Sequence, residues 1–181
     1  MNTYIKSRHL FLKGDFMDFV VYTLVYIIFM PILTILHELG HAIVALILTK
    51  EKVSVNIGNS DLNKQINLNR LVINLNGYKS LLDVAYGYVN RTQVDNKIKA
   101  IFIILGGPIT SLIVSILLYI YIINVKLAYI FMVSLNALFI FSSIQFLITI
   151  LPMKYFHKPY VGHTSDGYKI LQHLKKSNLS N

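Results

Sequence analysis

Cysteine is absent from these 181 residues, charged residues make up only 14% of them, and 8 acidic residues face 17 lysines and arginines. Without cysteine there is no disulfide framework and no thiolate metal site, so any metal must be held by His, Asp and Glu. So little charge beside 55% hydrophobic residues excludes an ordinary soluble domain built on one core. The chain reads as a single membrane domain over residues 1–181. An A-x-A-like cleavage site is missing after the basic start (Lys6, Arg8, Lys13), and the apolar run that follows is too long for a signal peptide. No internal repeat is evident, which argues against the paired halves of a metal-binding transporter.

The net charge of +9 lies between and after the apolar runs, so positive-inside topology accounts for it and no nucleic-acid partner is expected. Residues Phe19 to Leu36 are uncharged, and apolar character resumes from Ala42 to Thr49. A helix over about 16–49 is expected; from Asp18 to Thr49 it would be roughly 48 Å long against a hydrocarbon core of ~30 Å, so tilt or a kink at Pro31 is expected too. Uncharged runs from Ile101 to Val125 and from Leu127 to Met153 predict two antiparallel spanning helices, about 100–124 and 127–152, joined at Asn124-Val125-Lys126.

Residues 50–99 differ in kind. Val53-Ser54-Val55-Asn56-Ile57 and Ile66-Asn67-Leu68-Asn69 alternate, Leu71 to Asn76 is rich in β-branched residues, and Ala85 to Val89 offers a further short strand. Gly58-Asn59-Ser60-Asp61 and Asn76-Gly77 supply turn chemistry. The tail over 153–177 is a basic loop followed by a helix with Tyr168, Ile170, Leu171 and Leu174 near one face, expected to lie in the membrane interface and to be capped by Ser165 or Asp166. The fold class is therefore mainly α and integral to a membrane: a three-helix core, a strand-rich cytoplasmic insert and a C-terminal interfacial helix. Lys and Arg number four on one side of the three spans and thirteen on the other, which places the insert and the C-terminus in the cytoplasm. The abundance of Ile, Lys and Asn points to a low-GC bacterium and its cell membrane.

Inside the first apolar run stands His37-Glu38-Leu39-Gly40-His41, an H-E-x-x-H motif. Imidazoles at i and i+4 share a helix face and can ligate one zinc, with the glutamate beside it as general base. A glutamate in hydrocarbon is costly without a functional reason. His41 lies nine residues before Lys50, about 13 Å from the cytoplasmic boundary. A catalytic zinc needs a third protein ligand. The candidates are His157, His163, Asp166 and His173, with Asp166 foremost because its Asp-Gly pairing at a helix start lets a short carboxylate point back; Ser-Asp-Gly before a helix is as readily a simple N-cap, and residue mechanics alone leave both open.

Three motifs in order, His37-Glu38-Leu39-Gly40-His41-Ala42, Gly106-Gly107-Pro108-Ile109-Thr110-Ser111, and Leu151-Pro152 followed by Ser165-Asp166-Gly167, resemble those of the site-2 proteases, intramembrane zinc metalloproteases of the M50 type, in a compact variant with a Ser-Asp-Gly ending. The resemblance spans roughly residues 16–176. It implies one zinc per chain on His37, His41 and Asp166, Glu38 as catalytic base, and a membrane protein or membrane-associated peptide as substrate. Gly87-Tyr88-Val89 corresponds to a substrate-holding strand, although an ordinary hairpin would look the same. The chain departs from the pattern at Thr149, where the family has asparagine, and in a longer spacing from Pro152 to Asp166. Thr149 is thus a candidate substrate contact, and it leaves open a non-catalytic member that only binds membrane proteins. Asn136 lies too far up the third span to replace it. Gly106-Gly107-Pro108 is read as helix packing and a bend, His163 as a partner of Asp166, and Tyr155 and Tyr160 as interface anchors. Oligomeric state is left open.

Overall fold

The computed structural model describes residues 2–58, 62–76, 87–90, 94–156 and 161–178. Helix α1 (Asn2–Leu48) leads into strands β1 (Val53–Ile57), β2 (Leu62–Leu68), β3 (Leu71–Asn76) and β4 (Gly87–Asn90), then α2 (Lys97–Asn124), α3 (Tyr129–Ile150) and α4 (Asp166–Asn178). Three of these helices carry segments long and apolar enough to cross a membrane: Phe16–Leu48, Lys97–Asn124 and Tyr129–Ile150. The protein is mainly helical with one small sheet, as its sequence pattern predicts.

Helix boundaries follow local chemistry more closely than hydropathy does. Helix α1 starts well before the apolar run, running through Gly14, and it continues through Pro31 as one helix. Helix α2 starts at Lys97, three residues ahead of the expected boundary, because the Asn96 side chain accepts from the Lys99 N–H at 3.1 Å and caps it. Helix α3 stops two residues before Pro152, which disfavours helical geometry in the residue preceding it.

Helices α1 and α2 cross where both lack side chains. A Cβ on Gly40 would run into the Gly106 carbonyl oxygen and the Thr110 hydroxyl, and one on Gly106 would run into the Gly40 carbonyl oxygen. Gly40 lies within the H-E-x-x-H motif, so the contact sets the motif directly against α2. Helix α3 joins further up, where Val21 and Val25 pack on Val133 and Ala137, and Tyr22 meets Phe141 edge-on at 6.2 Å.

The sheet has strand order β2-β3-β1-β4, with β1 parallel to β3 and antiparallel to β4, the edge strand. Val53 and Val55 are fully buried against Ala42, Ala45 and Ile103, so the alternation in β1 drives one sheet face onto the C-terminal part of α1 and the start of α2. The β2–β3 hairpin turns at Asn69, whose φ of 54° is left-handed, where the alternation of Ile66 to Asn69 predicts continuing strand. Next to it, the Arg70 guanidinium donates to the Leu46 carbonyl at 2.9 Å and to the Thr49 carbonyl, satisfying acceptors that the end of α1 leaves open. Expectations on Asn59–Asp61, Gly77, Ala85–Tyr86, His157 and Tyr160 lie outside the described residues.

Candidate metal centre

Helix periodicity places His37 and His41 on the face of α1 that meets α2, their ring centroids 4.9 Å apart. Asp166, at the first turn of α4 and 129 positions after His37, reaches both: its Oδ2 lies 3.2 Å from His37 Nε2 and 3.2 Å from His41 Nε2. All three residues are buried. Among the described residues they form a group whose ligand atoms lie within 4.8 Å of one another.

The N-cap question resolves into two residues with two tasks. Ser165 Oγ accepts from the Tyr168 N–H at 3.2 Å and from the Met153 N–H at 3.0 Å, and donates to the Leu151 carbonyl at 2.6 Å. Ser165 therefore caps α4 and ties it to the chain leaving α3. Asp166 is released from capping and faces the histidines. A Cβ on Gly167 would collide with the Ile150 carbonyl oxygen, so glycine lets the first turn of α4 seat against the end of α3.

The remaining atoms of each group are also held. His41 Nδ1 lies 2.8 Å from the Ile103 carbonyl, and His37 Nδ1 lies 2.9 Å from Ser111 Oγ. The Gly107 N–H is also 3.2 Å from His41 Nδ1, but the shorter contact is to a group that can only accept. It puts the imidazole proton on Nδ1 and leaves the Nε2 lone pair facing the site. On Asp166, Lys169 Nζ takes the other carboxylate oxygen, Oδ1, at 3.0 Å.

This donor set fits a divalent metal. Two imidazole nitrogens converge on a carboxylate oxygen at 3.2 Å, and with their lone pairs turned inward the three atoms are a ligand set for one cation. Ligand atoms on a tetrahedral zinc at about 2.0–2.1 Å are themselves about 3.3 Å apart. Gly107 forms the wall: a Cβ there would lie 2.6 Å from His37 Nε2 and run into His41 Nε2. The glycine-rich motif thus does more than pack helices, since Gly106 admits α1 and Gly107 admits the imidazoles.

Glu38, buried, and the group of three line a cavity of about 820 Å³. Its lining includes the apolar Met30, Phe141, Ile144 and Ile148 and the polar Tyr155, His163, Lys169, Gln172 and His173. The three substrate candidates, Gly87, Tyr88 and Thr149, all border it. Thr149 Oγ1 is bonded within its own helix, to the Gln145 carbonyl at 2.9 Å and the Phe146 carbonyl at 3.1 Å, whereas Asn136 bonds to Met132 in the upper part of α3. Of the alternative third ligands, His163 and His173 stand in the cavity wall rather than in the group of three. Tyr155 is half-buried in that wall, and burial, with the charges of Asp166 and Glu38, pushes its phenol up to about 12.

Sequence reasoning did not single out Lys169, Ser111, Thr34 or the Ile103 carbonyl. Lys169 was accessible from its i+3 spacing to Asp166, and Ser111 closes the quoted Gly-Gly-Pro motif; a backbone carbonyl carries no sequence signal. Thr34, one turn before Glu38, lines the cavity, and its buried hydroxyl has no hydrogen-bond partner among the described residues.

Residues 25–178 match the family model described as Peptidase family M50. No curated protein and no solved structure matches the chain.

Proposed function

The chain belongs to peptidase family M50, and we propose that it is an intramembrane zinc endopeptidase, hydrolysing a peptide bond in or next to a transmembrane segment near the cytoplasmic face of a bacterial cell membrane. The observation that carries this reading is the convergence of His37 and His41, on a helix long and apolar enough to cross a membrane, with Asp166 of α4 at 3.2 Å contacts beside Glu38. When bound, zinc supplies an acidified water and a Lewis acid for the scissile carbonyl.

Glu38 takes the proton from the attacking water and delivers it to the leaving amine, as a positioned carboxylate can once water is otherwise excluded. His37 and His41 from the C-terminal part of α1 and Asp166 from the first turn of α4 would hold the metal. Lys169 holds Asp166 Oδ1, so that a single oxygen, Oδ2, is turned to the site.

A helical peptide bond is shielded by its own hydrogen bonds, so the substrate segment, from a membrane protein or a membrane-associated peptide, must unwind to react. Strand β4 offers it an edge for main-chain pairing beside the metal centre. Gly87 allows that strand to approach, because a Cβ there would lie 2.8 Å from Glu38 Cγ and 2.9 Å from Thr34 Cγ2. Tyr88, Thr149 and the unpaired Thr34 hydroxyl supply further contacts for the extended chain.

The test compares wild type with Glu38→Gln, purified and presented with a candidate membrane substrate. Glu38→Gln should keep its zinc and lose cleavage by roughly 10²–10⁴-fold. Undiminished cleavage by this variant overturns the assignment.

A further inference from the structure

We propose that Ser111 is the positioning residue that orients His37 for metal binding, an inference that rests on the zinc reading above. Thr23, Thr110, Ser134, Ser143 and Thr149 all turn their hydroxyls back onto the carbonyl four residues earlier, as such side chains do in apolar helices. Ser111 instead presents its Oγ across the helix interface, 2.9 Å from His37 Nδ1, with only 3% of its surface exposed. Its backbone is braced from the third helix, where the fully buried Ser142 donates to the Ser111 carbonyl at 2.9 Å.

The two histidines are therefore steadied by different means. His41 Nδ1 is held by a backbone carbonyl, Ile103, which no substitution of that side chain removes. His37 Nδ1 is held by a hydroxyl that one substitution deletes. With a metal on Nε2, the imidazole proton would belong on Nδ1, and Ser111 Oγ would accept it. This bond fixes both the tautomer and the ring rotation about χ2, which is how outer groups sustain metal affinity.

The nearby pair Ser115–Ser143 separates this role from simple helix packing. Ser115 sits one turn beyond Ser111 on the same seam, and its hydroxyl lies 2.7 Å from that of Ser143, touching no ligand. Loss of a buried hydroxyl there should affect packing alone.

The experiment measures zinc affinity by chelator competition in detergent, together with the visible spectrum of the cobalt-loaded protein, for wild type, Ser111→Ala, Ser111→Thr, Ser111→Val and Ser115→Ala. Ser111→Ala should weaken zinc binding roughly 10–100-fold and alter the cobalt spectrum, whereas Ser115→Ala should leave both unchanged. Threonine and valine have nearly the same shape, so Ser111→Thr should bind zinc more tightly than Ser111→Val if the hydroxyl matters; this comparison holds even if the added methyl costs stability. Equal affinities for wild type and Ser111→Ala, or for the Thr and Val variants, would overturn the proposal while leaving the protease reading intact. Failure of the wild type to bind zinc would overturn both.

Discussion

Gly107 shows how a single atom would decide whether this site exists. Its Cβ would stand among the ring nitrogens of His37 and His41, where the metal's donors must converge. Gly107→Ala should therefore cost zinc affinity, roughly ten- to hundredfold by chelator competition, by forcing the rings apart; an unchanged affinity would mean that the rings have room the geometry denies them. Tyr155 offers a second test at this scale. Burial and the carboxylates of Asp166 and Glu38 raise its phenol from an ordinary 10.0 to about 12. A raised value means that the folded protein holds this proton more tightly than the unfolded chain does. Its contribution to stability is then fully present below pH 10 and lost as pH rises towards 12. Subtracting the ultraviolet titration of Tyr155→Phe from that of wild type should leave a tyrosinate step near pH 12, and a step near pH 10 would contradict the burial argument.

Among the elements, α4 matters most, because it brings Asp166, the proposed third ligand, to histidines far back in the sequence. Hydrophobic periodicity predicted the helix, and hydrogen bonds to 151–153 tie its start to the end of α3. Ser165 makes those bonds while it caps the helix, so Ser165→Ala should lower thermal stability by about 1–2 kcal/mol and loosen Asp166 as well. Calorimetry in detergent together with zinc affinity checks this; a stability loss with no change in affinity would mean that α4 is held by other contacts. The three long apolar helices and the four strands of the described residues were legible in the sequence, the helices from long uncharged runs and the strands from alternation and β-branched content. The β2–β3 turn was not, because it uses a left-handed Asn69 where glycine would be the usual signal. Nor was the Arg70 clamp on the end of α1, whose acceptors are backbone carbonyls that no residue pattern marks.

At the scale of the molecule, the chain order of the helices brings the C-terminal ends of α1 and α3, the start of α2, the sheet and α4 together, and the metal centre lies at that end. His37, Glu38 and His41 were readable from spacing alone. Asp166 was ambiguous between cap and ligand, and the fold gives the cap to Ser165; Lys169 was within reach of its i+3 spacing to Asp166, whereas the contact of Ser111 spans 74 positions in sequence. The account stands on those distant parts building one zinc site, with Asp166 as its third ligand. Elemental analysis of purified wild type and Asp166→Ala tests this most directly. The wild type should carry one zinc per chain and Asp166→Ala should lose most of it during dialysis against a weak chelator; a zinc-free wild type, or an Asp166→Ala variant that keeps its zinc equally well, would contradict it.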